Sequence, residues 1–487
     1  MAFGALVLIF LGVGAEAPRT SQVLVPEWVE GLADPDPSVR DRAVHALANL
    51  PHATPDAVTR ITELLDHENR DVRQDAFAAL QNMGRAAKFA TPRLLAILSD
   101  RSSAADDRYV AGCTLAKIGP AAVEAVPGLV EVLHDENSYA RLGAINALAG
   151  IGPPASRAVA DLFSLAVNDR SGGFAWSIHL SASRAIAQIG TPALPFLVQS
   201  LRNGNVEEKV TAAATIRRMA ERLPESAREA IPALRVAIGD RDAAVRVNAA
   251  GAIWYTRHDA NEVLPVLVSV IHEHREREWL EMRRTAPTSS PRTLYSPRGV
   301  AVYVFKDMGP DAGQAVPTLV EVLQDCSGSS LEKETLEALG SIGPSAESAL
   351  PHILPYLWSN NRGLRVSAAK VMHRIAPEAK VPVADIVAQI VDDPFGAHAA
   401  VLVLGEIDET SREAAVPLLV ELLTSTDWRI RLKSLEALGE IGRDAAAASE
   451  AIERLAKDAN PLVKQAASQA LRAIELSCDE AKSGAKE

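Results

Sequence analysis

The sequence predicts an all-α chain, an α-solenoid or superhelix of about 13 helix-turn-helix repeats. Three observations predict it. A stretch such as AVPGLVEVLHDENSYARLGAINALAGIGP, residues 125–153, returns along the chain in recognisable form. Prolines at Pro92, Pro127, Pro195, Pro232, Pro265, Pro317, Pro351 and Pro417 are separated by 35, 68, 37, 33, 52, 34 and 66 residues. Apolar residues make up 48% of the 487 residues but aromatics only 4%, a palette of Ala, Leu, Val and Ile that suits closely packed helices.

The first element of the unit is a helix. Val126, Leu129, Val130 and Leu133 fall at i, i+3, i+4 and i+7, a single helical stripe. His134-Asp135-Glu136-Asn137 breaks it and supplies turn and N-cap chemistry. Leu142, Ile145, Leu148 and Ala149 begin a second stripe, and Gly152-Pro153 closes it with a C-cap glycine and a proline that cannot continue a helix. Two of the proline gaps are doubled because Ala160 and Ala384 stand where a proline would. Units begin near residues 23, 57, 90, 125, 158, 193, 229, 262, 314, 348, 382, 414 and 448. A helix pair repeated every thirty-odd residues cannot cover its own apolar stripe; its neighbours do that.

The pattern A-V-P-x-L-V-E-x-L, a turn, then R-x-x-A-x-x-A-L-x-x-I-G-P resembles the HEAT repeat, and within it the short bacterial form named after the bilin-lyase HEAT-like, armadillo-like helical proteins. The resemblance covers residues 23–476. It implies second helices on a concave surface, first helices on the convex side, and work done by binding.

The N-terminus reads differently. Residues 3–15, FGALVLIFLGVGA, are an uncharged apolar run, and Ala15-Glu16-Ala17 fits a signal-peptidase site, although no Lys or Arg precedes the run. Residues 1–17 are therefore expected to be a secretory signal, residues 18–476 the solenoid, and 477–487 a polar C-terminal tail. An exported, periplasmic or extracellular location follows, with a cytoplasmic one as the alternative. Charges interrupt the later apolar runs, so no integral membrane protein is expected after signal cleavage. Cys113, Cys326 and Cys478 are too scattered for a disulfide framework or a metal knuckle.

Aligned copies share a base seven residues before the Leu of the A-L step: Arg40, Arg73, Arg108, Arg141, Lys209, Arg246, Arg298, Arg365, Arg431 and Lys464. His179, Glu332 and Ala397 are the exceptions. Six residues before the base an aspartate recurs at Asp34, Asp135, Asp240 and Asp458. Either the bases line a face that binds an acidic ligand, or each bonds a turn carboxylate or carbonyl of an adjacent copy and orders the stack. Their repeat-fixed position favours the second.

The overlong proline gap marks an insertion, residues 272–298 of the eighth repeat. Arg275, Arg277, Trp279, Arg283, Arg284 and Tyr295 are the residue types that anchor interfaces, which makes the segment a docking arm or, alternatively, a tolerated surface loop. Trp254-Tyr255-Thr256-Arg257-His258 precedes it, replacing the usual x-x-Ile-Gly-Pro end of the seventh repeat, and its aromatic pair is either a packing lid or part of the same recognition patch.

Catalytic chemistry is not assembled. His272-Glu273-His274 sets its imidazoles about 200° apart on a helix, unlike the H-E-x-x-H zinc motif. No phosphate loop, dinucleotide fingerprint or nucleophile elbow occurs. The net charge of −12 is interspersed and opposes a nucleic-acid partner. The expectation is a non-catalytic scaffold or adaptor for an unknown protein or peptide, needing no cofactor and no metal, of open oligomeric state. A ligand-handling or bilin-lyase-like enzyme is the rival that the kinship alone implies.

Overall fold

The computed structural model describes residues 27–48, 55–169, 175–273, 296–325, 331–359, 361–376, 387, 391 and 409–484. They are helices joined by tight turns, with no strand among the described residues. They fall into two compact units, one ending at Ala237 and the other starting at Ile238. Each is an α-solenoid row of helix pairs. The eleventh repeat, near residue 382, lies almost wholly outside the described residues, as do residues 1–17.

Sequence chemistry sets the ends of most second helices. At the start of several an Asn or Asp accepts a backbone N–H two or three residues on: Asn69 from Asp71, Asn137 from Tyr139 and Ala140, Asn205 from Glu208, Asp242 from Ala244 and Val245, Asp427 from Arg429. At the end of many stands a glycine of positive φ, as at Gly119, Gly152, Gly343 and Gly442. The proline that follows does not merely stop the helix. It opens a 3-10 turn, such as Gly119–Ala125 or Gly343–Ala349, that leads directly into the next first helix.

In the first unit the pairs are Pro55–Glu63 with Arg70–Met83, Thr91–Ser99 with Ala105–Ile118, Val126–Val132 with Ser138–Ile151, Val159–Asn168 with Ala175–Ile189, and Leu194–Asn203 with Val206–Arg222. Second helices pack against second helices along the row. Leu94, Leu98, Leu115, Leu129, Leu133 and Leu148 are fully buried, each burial stabilising by about 1.5–3 kcal/mol. The expected stripes are shifted slightly: Val132 and Ile151 are buried, while Val130, Leu142 and Ala149 are half-buried. Residues Ala105–Val132 have the length and apolar composition to cross a membrane, which the charge pattern did not suggest. In the fold they are a second helix and the next first helix, broken at Gly119 and pinned by the buried Asp107 and Arg108.

Ala105–Ile118 and Ser138–Ile151 approach backbone to backbone. A Cβ on Gly112 would meet Gly143 O at 2.3 Å, and one on Gly150 would meet Ala116 O at 2.3 Å. Only glycine permits this crossing.

In the second unit Ala243–Arg257 packs on Ala260–Glu273 and on Pro297–Met308, followed by Val316–Asp325 with Leu331–Ile342, and later Glu409–Leu422 with Trp428–Ile441. The insertion thus sits between the two helices of the eighth pair. The last helix, Pro461–Gly484, continues through most of the segment expected to be a tail.

Candidate functional site

The recurrent base is the best-defined constellation in the fold, and its geometry decides between the two readings of it. Five ladder arginines, Arg40, Arg73, Arg141, Arg246 and Arg431, do two things. Their Nη1 closes the turn of their own repeat by donating to two consecutive carbonyls, Asp34 O and Pro35 O in the case of Arg40. Arg73 bonds His67 O at 2.9 Å and Glu68 O at 3.0 Å; Arg141 bonds Asp135 O at 2.7 Å and Glu136 O at 3.0 Å. Arg246 bonds Asp240 O and Arg241 O, and Arg431 bonds Ser425 O and Thr426 O, in the same way. Arg365 donates to Ser359 O.

The other edge of the guanidinium reaches a carboxylate of the following repeat. Arg40 meets Asp75 at 2.6 Å, Arg73 meets Asp107 at 3.0 Å, Arg108 meets Asp135 at 2.6 Å and Arg141 meets Asp169 at 3.2 Å. In the second unit Arg246 meets Glu273, Arg298 meets Asp325 at 3.1 Å, and Arg431 meets both oxygens of Asp458 at 2.9 and 3.0 Å. The carbonyls therefore belong to the base's own copy and the carboxylates to the next. Four acceptors, Asp135, Glu273, Asp325 and Asp458, lie 27 residues beyond their arginine. Asp135 and Asp458 also cap their own turns, accepting the N–H of Asn137 and Asn460 at 2.8 Å. Lys209 and Lys464 begin their helices at the same register, half-buried and exposed respectively.

Electrostatics match. Burial alone would raise the Asp135 carboxyl, but hydrogen bonds from Arg108 and Asn137, with the charges of Arg108 and Arg101, hold it below the ordinary carboxylate range. Asp458 is lowered chiefly by its hydrogen bond from Arg431. Asp427, bonded by Arg429, is lowered to about 2. The arginines turned to the core are covered: Arg108 is 2% exposed and Arg141 6%. They are not a face offered to an acidic ligand.

At two of the exceptions part of the same task is still performed, once by the exception itself and once by a neighbour. His179 is buried, and its Nδ1 pairs with Ala166 O at 2.9 Å, a last-turn carbonyl of the preceding first helix, as Arg108 Nε pairs with Leu98 O at 2.8 Å. Glu332 is buried in the first turn of its helix, and Tyr356 supplies the donor to Leu323 O at 3.1 Å. Ala397 lies outside the described residues.

The aromatic pair before the insertion is core. Trp254 is 3% exposed and Tyr255 8%, and the Tyr255 hydroxyl donates to Asp307. Both leave the set of candidate recognition residues, because the second helix turns them inward against the next repeat. The helix end there is nonetheless unusual: His258 takes the left-handed conformation, φ 52° and ψ 37°, whereas Gly119, Gly152 and Gly442 pair a positive φ with ψ of −141°, −136° and −131°. Arg275, Arg277, Trp279, Arg283, Arg284 and Tyr295 lie outside the described residues.

Two features had no clear signal in the sequence. First helices carry an outer row of exposed pairs, Arg60 with Glu30 at 3.3 Å, Arg93 with Asp66, and His134 with Asp161 at 3.1 Å. Second helices of the first unit share a polar seam: Gln81 donates to Thr114 at 3.2 Å, Asn146 to Cys113 Sγ at 3.6 Å, and Tyr109 stacks edge-on to Tyr139 with centroids 6.3 Å apart. The nearby Cys113, through its charge and a hydrogen bond, and then burial, raise the Tyr109 phenol. Cys113 is half-buried on this seam rather than packed in the apolar core. Among the described residues no three His, Cys, Asp or Glu are grouped to hold a metal ion.

A family model of HEAT repeats matches residues 25–116, 91–178, 126–217 and 384–472, more than half of the chain. The chain belongs to the HEAT-repeat family. The last match covers residues 384–408, next to the described twelfth HEAT repeat. No curated protein matches the sequence. Among solved structures, yeast importin-β (Kap95p) is 14% identical, with 94% of this chain and 68% of that one covered and a TM-score of 0.44. A Kap121p mutant is 12% identical over 96% and 59%, with a TM-score of 0.48. A structure describing the interaction between cadherin and beta-catenin is 17% identical over 93% and 99%, with a TM-score of 0.30. At such scores these HEAT and helical-repeat likenesses say nothing of partners.

Proposed function

We propose that the chain is a non-catalytic scaffold that binds a protein or peptide along its second helices. The observation that carries this is the seam of the first unit. Successive second helices lie side by side and bring Gln74, Tyr109 and Leu142 to one register, with Tyr139 and Asn146 beside them, all partly open to solvent. Many shallow contacts on such a surface sum to specific recognition without a pocket. The ladder arginines, by contrast, are engaged within the solenoid. Photo-crosslinking groups at positions 139 and 146, compared with positions 131 and 199 on first helices, test it. Adducts from the second-helix positions alone support the reading; adducts from neither set, or turnover of a substrate by the purified chain, overturn it.

The insertion is proposed as an auxiliary docking arm on the strength of its Arg, Trp and Tyr content. Deleting residues 275–295 should remove some captured partners; an unaltered set removes the arm from the proposal. Export is likewise proposed from residues 1–17. N-terminal sequencing of the mature chain should find Pro18 first, and a retained Met1 in the cytosolic fraction would overturn it.

A further inference from the structure

We infer that Asn203 is a site of spontaneous deamidation, and that the acid it leaves stands in the ladder without a guanidinium. Asn203 lies six residues before Lys209, as Asp34 lies before Arg40, Asp135 before Arg141, Asp240 before Arg246 and Asp458 before Lys464. In those four turns the aspartate side chain accepts the N–H two residues on, from Asp36, Asn137, Asp242 and Asn460. The sixth repeat differs. The N–H of Asn205 goes instead to Glu208 Oε2 at 2.7 Å, in a capping box that Asn205 completes through the Glu208 N–H. The side chain of Asn203 is thereby released: it is exposed and makes no hydrogen bond among the described residues.

Gly204 follows, and Asn203-Gly204 is the only Asn-Gly pair in the 487 residues. With no Cβ beside it, the Gly204 nitrogen is the least shielded nucleophile an asparagine can have. The step is an internal acyl transfer. The Gly204 nitrogen attacks the Asn203 Cγ, an N–C bond forms, the Cγ–Nδ2 bond breaks, and ammonia leaves with the proton the backbone nitrogen gives up. Water then opens the cyclic imide at either carbonyl to give aspartate or isoaspartate, with no oxidant or reductant involved. One contact restrains it: the Gly204 N–H donates to Ser200 O at 2.9 Å, so the last turn of Leu194–Asn203 must open first. Helix ends do so readily.

The product is misplaced. Asp135 and Asp458 are tolerated because Arg108 and Arg431 of the preceding repeats reach them. The base preceding Asn203 is His179, which is buried, has its Nδ1 on Ala166 O, keeps an Nε2 with no hydrogen-bond partner among the described residues, and is no guanidinium. A carboxylate at 203 gains no ladder guanidinium and adds negative charge at a helix C-terminus, where the macrodipole opposes it. Isoaspartate also lengthens the backbone at the turn. The junction of the fifth and sixth repeats therefore loosens as the protein ages.

The test is incubation of the full chain at mildly alkaline pH, followed by tryptic mapping and melting. The peptide Asn203–Lys209 should split into amide, aspartate and isoaspartate forms, with fragment ions placing the change at 203, before any other asparagine is modified. Asn203→Gln should abolish the split, and Asn203→Asp should reproduce the lowered melting temperature of aged protein. An intact peptide while other asparagines react, or a split that persists in Asn203→Gln, overturns the site. A melting temperature for Asn203→Asp equal to that of the fresh chain overturns the ladder consequence.

Discussion

Arg108 donates to both carboxylate oxygens of Asp135, 27 residues further along, at 2.6 and 3.4 Å. The carbonyl of the same Asp135 accepts from Arg141, which goes on to Asp169. Three repeats are thereby joined by one alternating chain of guanidinium, carboxylate and carbonyl. Its role is positional: each link fixes the turn of one repeat against the next.

Breaking one link should cost far more than breaking an exposed pair. Arg141 and Asp169 are 7% and 5% exposed at their side chains, whereas Arg93 and Asp66 are 45% and 54%. Arg141→Ala strands a buried carboxylate and two turn carbonyls, and should lower stability by about 3 kcal/mol or more. Arg93→Ala should change it by less than about 1 kcal/mol. Denaturant melts of both variants decide it; equal, small effects would show that the ladder is ornament. Crosslinking from position 139 should be unaffected in folded Arg141→Ala protein.

The ladder also predicts an acid limit. Asp135 and Asp458 have carboxyls lowered in the folded state, so their pairing stabilises above the unfolded carboxylate value, about 3.9, and is lost as the pH falls through the lower folded value. Stability should therefore drop below about pH 4. The difference between wild type and Asp135→Asn should be greatest near neutrality and shrink on acidification. A difference that stays constant from neutral to acid pH would assign the effect of that variant to packing instead.

Much of this was legible in the sequence. The helix pair followed from the spacing of Leu129, Leu133, Ile145 and Leu148 with Gly152 and Pro153, because apolar periodicity and capping are local signals. The register of the ladder bases was legible too, since it recurs with the repeat. Their partners were not: Asp75 and Asp107 lie in second helices and Asp169 at the end of a first helix, at different offsets, and only the packing of one repeat on the next brings them to Arg40, Arg73 and Arg141. Nor were the surroundings of Trp254 and Tyr255 legible, because a large aromatic at a repeat end reads the same whether it faces solvent or the next helix.

The contact of Ala105–Ile118 with Ser138–Ile151 allows a sharper test of packing. Alanine is intrinsically favoured over glycine in a helix by about 1 kcal/mol. At Gly112 that gain should be reversed, since the added Cβ would lie 2.3 Å from Gly143 O. Gly112→Ala should destabilise by about 1–3 kcal/mol as the two helices separate. Gly299→Ala is the control: its nearest neighbours are Ser296 Cβ at 3.7 Å and Leu331 Cδ1 at 3.9 Å, so it should be neutral or stabilising. Melting curves in which Gly112→Ala is the more stable of the two would deny the close crossing.

His258 offers the opposite case, a residue whose replacement should strengthen the fold. It holds φ 52° and ψ 37° at the end of Ala243–Arg257, whereas other second helices end at a positive-φ glycine of different ψ, as at Gly119, Gly152 and Gly442. A side chain in that conformation costs about 1–2 kcal/mol, partly offset by the edge-on contact of its ring with Trp254 at 5.0 Å. Trp254 is already buried and keeps its other contacts when the imidazole is removed. His258→Gly should therefore raise stability by up to about 1 kcal/mol, while His258→Ala, which keeps a Cβ and loses the ring contact, should lower it. If both variants are destabilised to the same degree, the His258–Trp254 contact outweighs the backbone strain, and the histidine is there to hold Trp254 in place.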